Sequence, residues 1–157
     1  MKKTILTLIT LVLISCGASK TVRDSKKAIK GQWLLETINY SETDSFNVNL
    51  LKDVSAVCFQ GSHWQFIPNN NTGTYSINNQ GCTTGIRHFI FTIEDLDTGV
   101  QNFLLKPTDE KKKSETNQGF RLQLTQLTEF AMQLQQTVTL EGKPFKINMN
   151  FSKTQEK

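Results

Sequence analysis

From residue 31 onward the chain is written largely in alternating apolar and polar positions. Trp33 and Leu35, with Thr37, share one face of a first run, opposite Gln32, Leu34 and Glu36. Trp64 and Phe66 mark a second run, and Tyr75 and Ile77 a third. The stretch 87–94 puts Phe89, Phe91 and Ile93 on one side; 101–106 does the same with Phe103 and Leu105 before Pro107 stops it. Phe120, Leu122 and Leu124 define a sixth run. Phe130, Met132 and Leu134 define a seventh that continues through Val138 and Leu140, and Phe145, Ile147, Met149 and Phe151 an eighth. Period two is the mark of a strand with one buried face. Turn-forming residues separate several of the runs: NNNTG at 69–73, DLDTG at 95–99 and EGKP at 141–144.

Short turns make consecutive strands antiparallel neighbours. Eight is the number at which such a sheet can close on itself and lose its exposed edges. The expected fold is therefore all-β, an eight-stranded antiparallel up-and-down barrel over 31–153, with a two-sheet sandwich as the alternative. The polar stretch 41–52, with Phe46, Leu50 and Leu51 followed by Val54, is expected to supply one short helix near the N-terminal side. The stretch 108–118 is a charged loop, and 154–157 a short tail.

The first thirty residues do not fit this pattern. Lys2 and Lys3 precede an apolar run over 5–14 that is about half the ~20 residues a membrane span requires. The run ends in Leu13-Ile14-Ser15-Cys16, which resembles the lipobox of bacterial lipoproteins. That resemblance implies a signal peptide over 1–15, removed on maturation, and an acylated Cys16 (palmitate or a similar chain) as the new N-terminus. At about 0.8 kcal/mol per buried CH₂, several chains anchor a protein stably where one does not. Residues 16–30 are small, polar and basic and are expected to form a flexible tether. No acidic residue directly follows Cys16. By the same resemblance this points to the outer membrane, with the domain on its periplasmic side rather than at the cell surface.

Maturation also changes the charge. The formal +4 of the full chain becomes +2 when Lys2 and Lys3 leave, with sixteen basic residues facing fourteen acidic ones. There is no basic stripe interleaved with aromatics, so nucleic acid is not an expected partner. With Cys16 committed to lipid, Cys58 and Cys82 remain as an even pair in an oxidising compartment and are expected to form a disulfide. A zinc site at Cys58, His63, Cys82 and His88 would have the right ligand types. However, both histidines lie opposite in parity to the aromatics beside them and are expected to face solvent. No nucleophile–base pair or facing carboxylate pair is apparent, so neither an enzyme nor a cofactor is expected.

Gly31-x-Trp33 opens the first strand. It is followed by Cys58-Phe59-x-Gly61-Ser62-x-Trp64, by Pro68-Asn69-Asn70-x-Thr72-Gly73-x-Tyr75 and by Cys82. This set resembles lipocalin-like lipoproteins of bacterial envelopes over 31–153. The resemblance implies that Gly31 and Trp33 close one end of the barrel, and that the other end admits a small hydrophobic or amphipathic molecule. No Thr-Asp-Tyr motif is present, and the last strand carries Lys146 and Lys153 where lipocalins place an arginine over the opening tryptophan. The interior of an eight-stranded barrel is either filled by side chains or holds one small ligand. The residues expected to line such a pocket are Trp64, Phe66, Tyr75, Phe89, Phe91, Phe103, Phe120 and Met132. The expected function is a membrane-anchored, non-enzymatic carrier in the cell envelope. The alternative is a module that binds or inhibits another envelope protein through the loops at 41–52 and 108–118.

Overall fold

The computed structural model describes residues 19–42, 48–96, 99–114 and 116–154. The expected signal peptide over 1–15, Cys16, Phe46 and the end of the tail lie outside the described residues. In chain order the elements are α1 (Lys20–Ile29), β1 (Gly31–Tyr40), β2 (Asn49–Leu50), β3 (Val54–Ser55), α2 (Ala56–Phe59), β4 (His63–Ile67), β5 (Thr72–Ile77), β6 (Gly85–Asp95), β7 (Gln101–Thr108), β8 (Phe120–Leu127), β9 (Ala131–Leu140) and β10 (Lys143–Lys153). Eight of the strands close into a barrel in the order β1-β10-β9-β8-β7-β6-β5-β4, while β2 and β3 form a separate small hairpin. The seam strand β1 pairs with β10 from Trp33↔Lys153 to Tyr40↔Ile147, and with β4 from Gly31↔Phe66 to Leu34↔His63. All barrel pairings are antiparallel, so the barrel and not the sandwich is the architecture.

Alternation buries the residues it should. Trp33, Leu35, Trp64, Phe66, Tyr75, Ile77, Phe89, Phe91, Ile93, Phe103, Leu105, Leu122, Leu124, Met132, Leu134, Ile147 and Met149 are all in the core, joined by Phe145 and Phe151. Phe120 is half-buried against it. The phase breaks twice, at register shifts between Leu35 and Thr37 on β1 and between Leu124 and Gln126 on β8. One extra residue at such a bulge reverses the parity of everything after it. Thr37, which simple alternation puts on the Trp33 face, is therefore exposed, and Ile38 and Tyr40 turn toward the core instead.

Gly73 sits opposite Phe66 on β4 and Phe89 on β6. A Cβ there would come within 2.3 Å of the Phe89 ring and 2.6 Å of the Gln65 carbonyl oxygen. The missing side chain is what lets the Phe89 ring lie over the strand.

One expectation for the N-terminal part is corrected and one is located. The flexible tether expected over 16–30 is helical from Lys20 to Ile29. The Ser19 hydroxyl caps it by accepting from the Val22 amide at 3.2 Å, and Lys26 and Lys27 occupy the last turn, where the helix dipole favours cations. Val22 and Ile29, seven residues apart on one face, are buried against the barrel. The short helix expected near the N-terminal side is present, as the single turn α2 just after the stretch 41–52. Of that stretch, described residues 49 and 50 begin the β2–β3 hairpin, which turns through Leu51 and Lys52 with φ of 50° and 53°.

Candidate functional site

The barrel has two unlike ends. At the first, α1 lies across the opening and Trp33 is fully buried beneath it. The Trp33 indole N–H donates to the Ile29 carbonyl at 2.8 Å. The Lys153 ammonium sits 5.1 Å from the indole ring centroid and donates to the Ala28 carbonyl at 2.8 Å. Lysine thus takes the covering position that the lipocalin resemblance gives to arginine, through a cation–π contact. Ser25 and Lys26 add hydrogen bonds from α1 to Gln101 and Asn71. This end is closed.

At the other end the β2–β3 hairpin and α2 hang over the rim as a partial lid. Leu50, Leu51, Ala56 and Phe59 are buried there as part of the same core as the barrel interior. The Cys58–Cys82 disulfide, with an S–S distance of 2.03 Å, ties α2 to the connection between β5 and β6. From that same connection the Asn79 side-chain amide donates to the Gln60 carbonyl at 2.6 Å.

The turn of the hairpin is held by Asp53. Its carboxylate accepts from the Tyr75 hydroxyl at 3.0 Å and from Arg87 Nε at 2.9 Å. Arg87 in turn donates to the carbonyls of Thr83 and Gly85. Burial pushes the Tyr75 phenol well above the ordinary tyrosine range. The negative charge of Asp53 and the hydrogen bond to it add to the rise, and Arg87 offsets part of it.

Between this lid, β5–β6 and the β7–β8 loop lies a cleft of about 970 Å³. Leu51, Tyr75, Ile86, Pro107 and Phe120 supply its apolar lining, while Lys52, Asp53, Arg87, Asp109 and Glu110 supply charge of both signs. An apolar floor with a few converging polar groups is the composition of small-molecule sites. A second groove, of about 620 Å³, crosses β6 and β7 where Ile90, Thr92, Leu104 and Lys106 face outward. It lies on the outer wall, away from the lid.

Of the eight residues expected to line a pocket, Tyr75 and Phe120 border the cleft. The other six lie deeper, and five of those are rings packed on one another. Trp64 has its ring centroid 4.7 Å from Tyr75, 6.0 Å from Phe66 and 5.6 Å from Phe89. Phe66 meets Phe91 and Phe103 edge-on at 5.7 and 5.9 Å, and Phe91 stacks on Phe103 at 5.2 Å. Met132 is buried among the same core residues. The indole N–H of Trp64 is satisfied inside the barrel by the buried Ser62 hydroxyl at 2.8 Å.

The zinc-type residues do not converge. The disulfide takes both thiols, His63 is exposed on β4, and His88, half-buried and opposite in parity to inward Phe89, borders the cleft. Sequence reasoning missed Asp53 and Arg87, because the pair joins a turn to a strand 34 residues away. It also missed α1, for which Ser19 and the Val22/Ile29 spacing were the available signals.

No protein-family model matches the chain, and no curated protein sequence matches it. Among solved structures the fold is similar to that of a lipocalin-like protein from Bacteroides uniformis, at 10% sequence identity and a TM-score of 0.50. The match covers 81% of this chain and 99% of that one. At this identity the likeness speaks for the fold alone, and the fold is that of a lipocalin-like eight-stranded barrel.

Proposed function

We propose that this protein is a non-enzymatic carrier of the bacterial cell envelope, anchored through an acylated Cys16, which takes a small amphipathic molecule at the mouth of its barrel. The observation that carries the reading is the lidded cleft of about 970 Å³ with its apolar floor and charged rim. A molecule with an apolar body and a polar head has a place for each part there. Because the rings below Tyr75 already pack against one another, the ligand rests at the mouth and does not thread the barrel. The lipobox-like run before Cys16 and the disulfide both fit an oxidising envelope compartment, on the periplasmic side of the outer membrane.

Titration of the purified chain with a fluorescent fatty acid tests this. Binding should saturate, and Phe120→Asp should weaken it roughly tenfold by removing about 1.4 kcal/mol of apolar contact. If no probe saturates and native mass spectrometry finds no co-purifying molecule, the carrier reading is wrong.

A further inference from the structure

The closed end of the barrel has a composition that its covering role does not explain. The side of α1 opposite Val22 and Ile29 carries exposed Lys20, Arg23 and Lys27, with Asp24 the one acidic residue in that row. Beside it, the turn between β8 and β9 presents Phe130, which is 70% exposed. The backbone binds Phe130 to the same end, since its carbonyl accepts from the amide of Lys153, the residue covering Trp33. Ser19, at the start of α1, donates to Asp95 at the rim of this end.

Because α1 is folded onto the barrel, the chain between Cys16 and the barrel is short in residues. Only Gly17 and Ala18 lie between Cys16 and Ser19, so the three Cα–Cα steps span no more than about 11 Å. The strand β10 has 11 residues running between the two ends. That is about 36 Å of strand, or nearly 28 Å along the axis at a tilt of about 40°. An acyl anchor at Cys16 therefore reaches the bilayer only with the closed end next to it.

We infer that the closed end is a membrane-docking face. On this reading Lys20, Arg23 and Lys27 meet anionic headgroups, Phe130 enters the interface, and the ligand cleft points away from the bilayer. This rests on the lipid anchor of the proposed function. It goes further in saying that ligand exchange occurs with the aqueous space and whatever faces it, not with the anchoring membrane.

Phe130→Trp and Ile86→Trp test it. Both positions are largely exposed, at 70% and 67%, and they lie at opposite ends. Trp33 and Trp64, at 0% and 1%, give a buried and constant background. The full mature protein is placed in phosphatidylethanolamine–phosphatidylglycerol vesicles with brominated acyl chains. The added emission of F130W should fall roughly twofold, as for a ring at the headgroup–acyl boundary, while that of I86W should hold steady. Acylated protein in which I86W is quenched as strongly as F130W, or in which neither is quenched, would overturn the orientation and leave the anchor standing. A mature mass without acyl chains would remove the anchor and the orientation with it.

Discussion

At the closed end, α1 presses Val22 and Ile29 onto the barrel, and Trp33 is buried with its N–H satisfied and a lysine across its face. At the mouth, two two-residue strands and one helical turn cover the opening, held by buried Leu50, Leu51, Ala56 and Phe59, by the disulfide, and by the side chains of Asp53 and Asn79. The first closure is one continuous ten-residue helix over a buried indole. The second buries Leu50, Leu51, Ala56 and Phe59 as well, but its strands are two residues each and a cleft lies beside them. Short elements beside a cleft open locally at a smaller free-energy cost than the core does.

Several substitutions would break or sharpen that contrast. The largest effect is expected at the closed end: Trp33→Ala should destabilise the fold by about 3–5 kcal/mol, read from the urea midpoint. A loss below about 1 kcal/mol would mean that the tryptophan is not the plug. Next is the covalent attachment of the lid. Replacing Cys58 and Cys82 with serine should cost about 3.5 kcal/mol by releasing the loop in the unfolded chain. Alkylation should find the native pair unreactive until reduced; ready labelling would contradict the bond.

Asp53→Ala should cost about 2 kcal/mol, since two charge-assisted or buried hydrogen bonds go with it. Amide exchange should speed up across the lid while α1 stays protected. Equal acceleration at both ends would erase the distinction.

The alkaline limb of stability should depend on Tyr75. Its folded pKa is raised above the unfolded value of ~10, so its contribution is complete below that pH and is lost as pH rises further. The slope for one proton is about 1.4 kcal/mol per pH unit. Tyr75→Phe should flatten the profile above pH ~10, and an unchanged profile would count against the buried phenol. The smallest effect is expected for Lys153→Met, at about 0.5–1 kcal/mol from the lost cation–π contact. It would show how much of the closed end's strength lies outside Trp33 itself.

Legibility followed the range of the interactions. Strand count, sheet closure and nearly the whole inward set could be read because alternation is a local property, written residue by residue. Thr37 was misplaced because a bulge shifts phase without leaving any mark in composition. α1 was overlooked because two apolar residues in a basic, polar stretch are a faint period; the helix owes its place to the barrel end it covers. At the mouth, Tyr75 and Phe120 stood out as aromatics in strands. Asp53 and Arg87 did not, since nothing in a turn aspartate or a strand arginine announces its partner.

By its own pattern the sequence determined an eight-stranded closed sheet, its aromatic interior and the two cysteines available to staple it. Those follow from periodicity and residue type alone. Tertiary structure decided that the interior rings pack on one another, that the open cleft lies beside the lid and not within the barrel, and that a supposed tether is a cap. Those outcomes depend on which side chains meet across strands far apart in the chain, and packing in three dimensions is the only place where that is written.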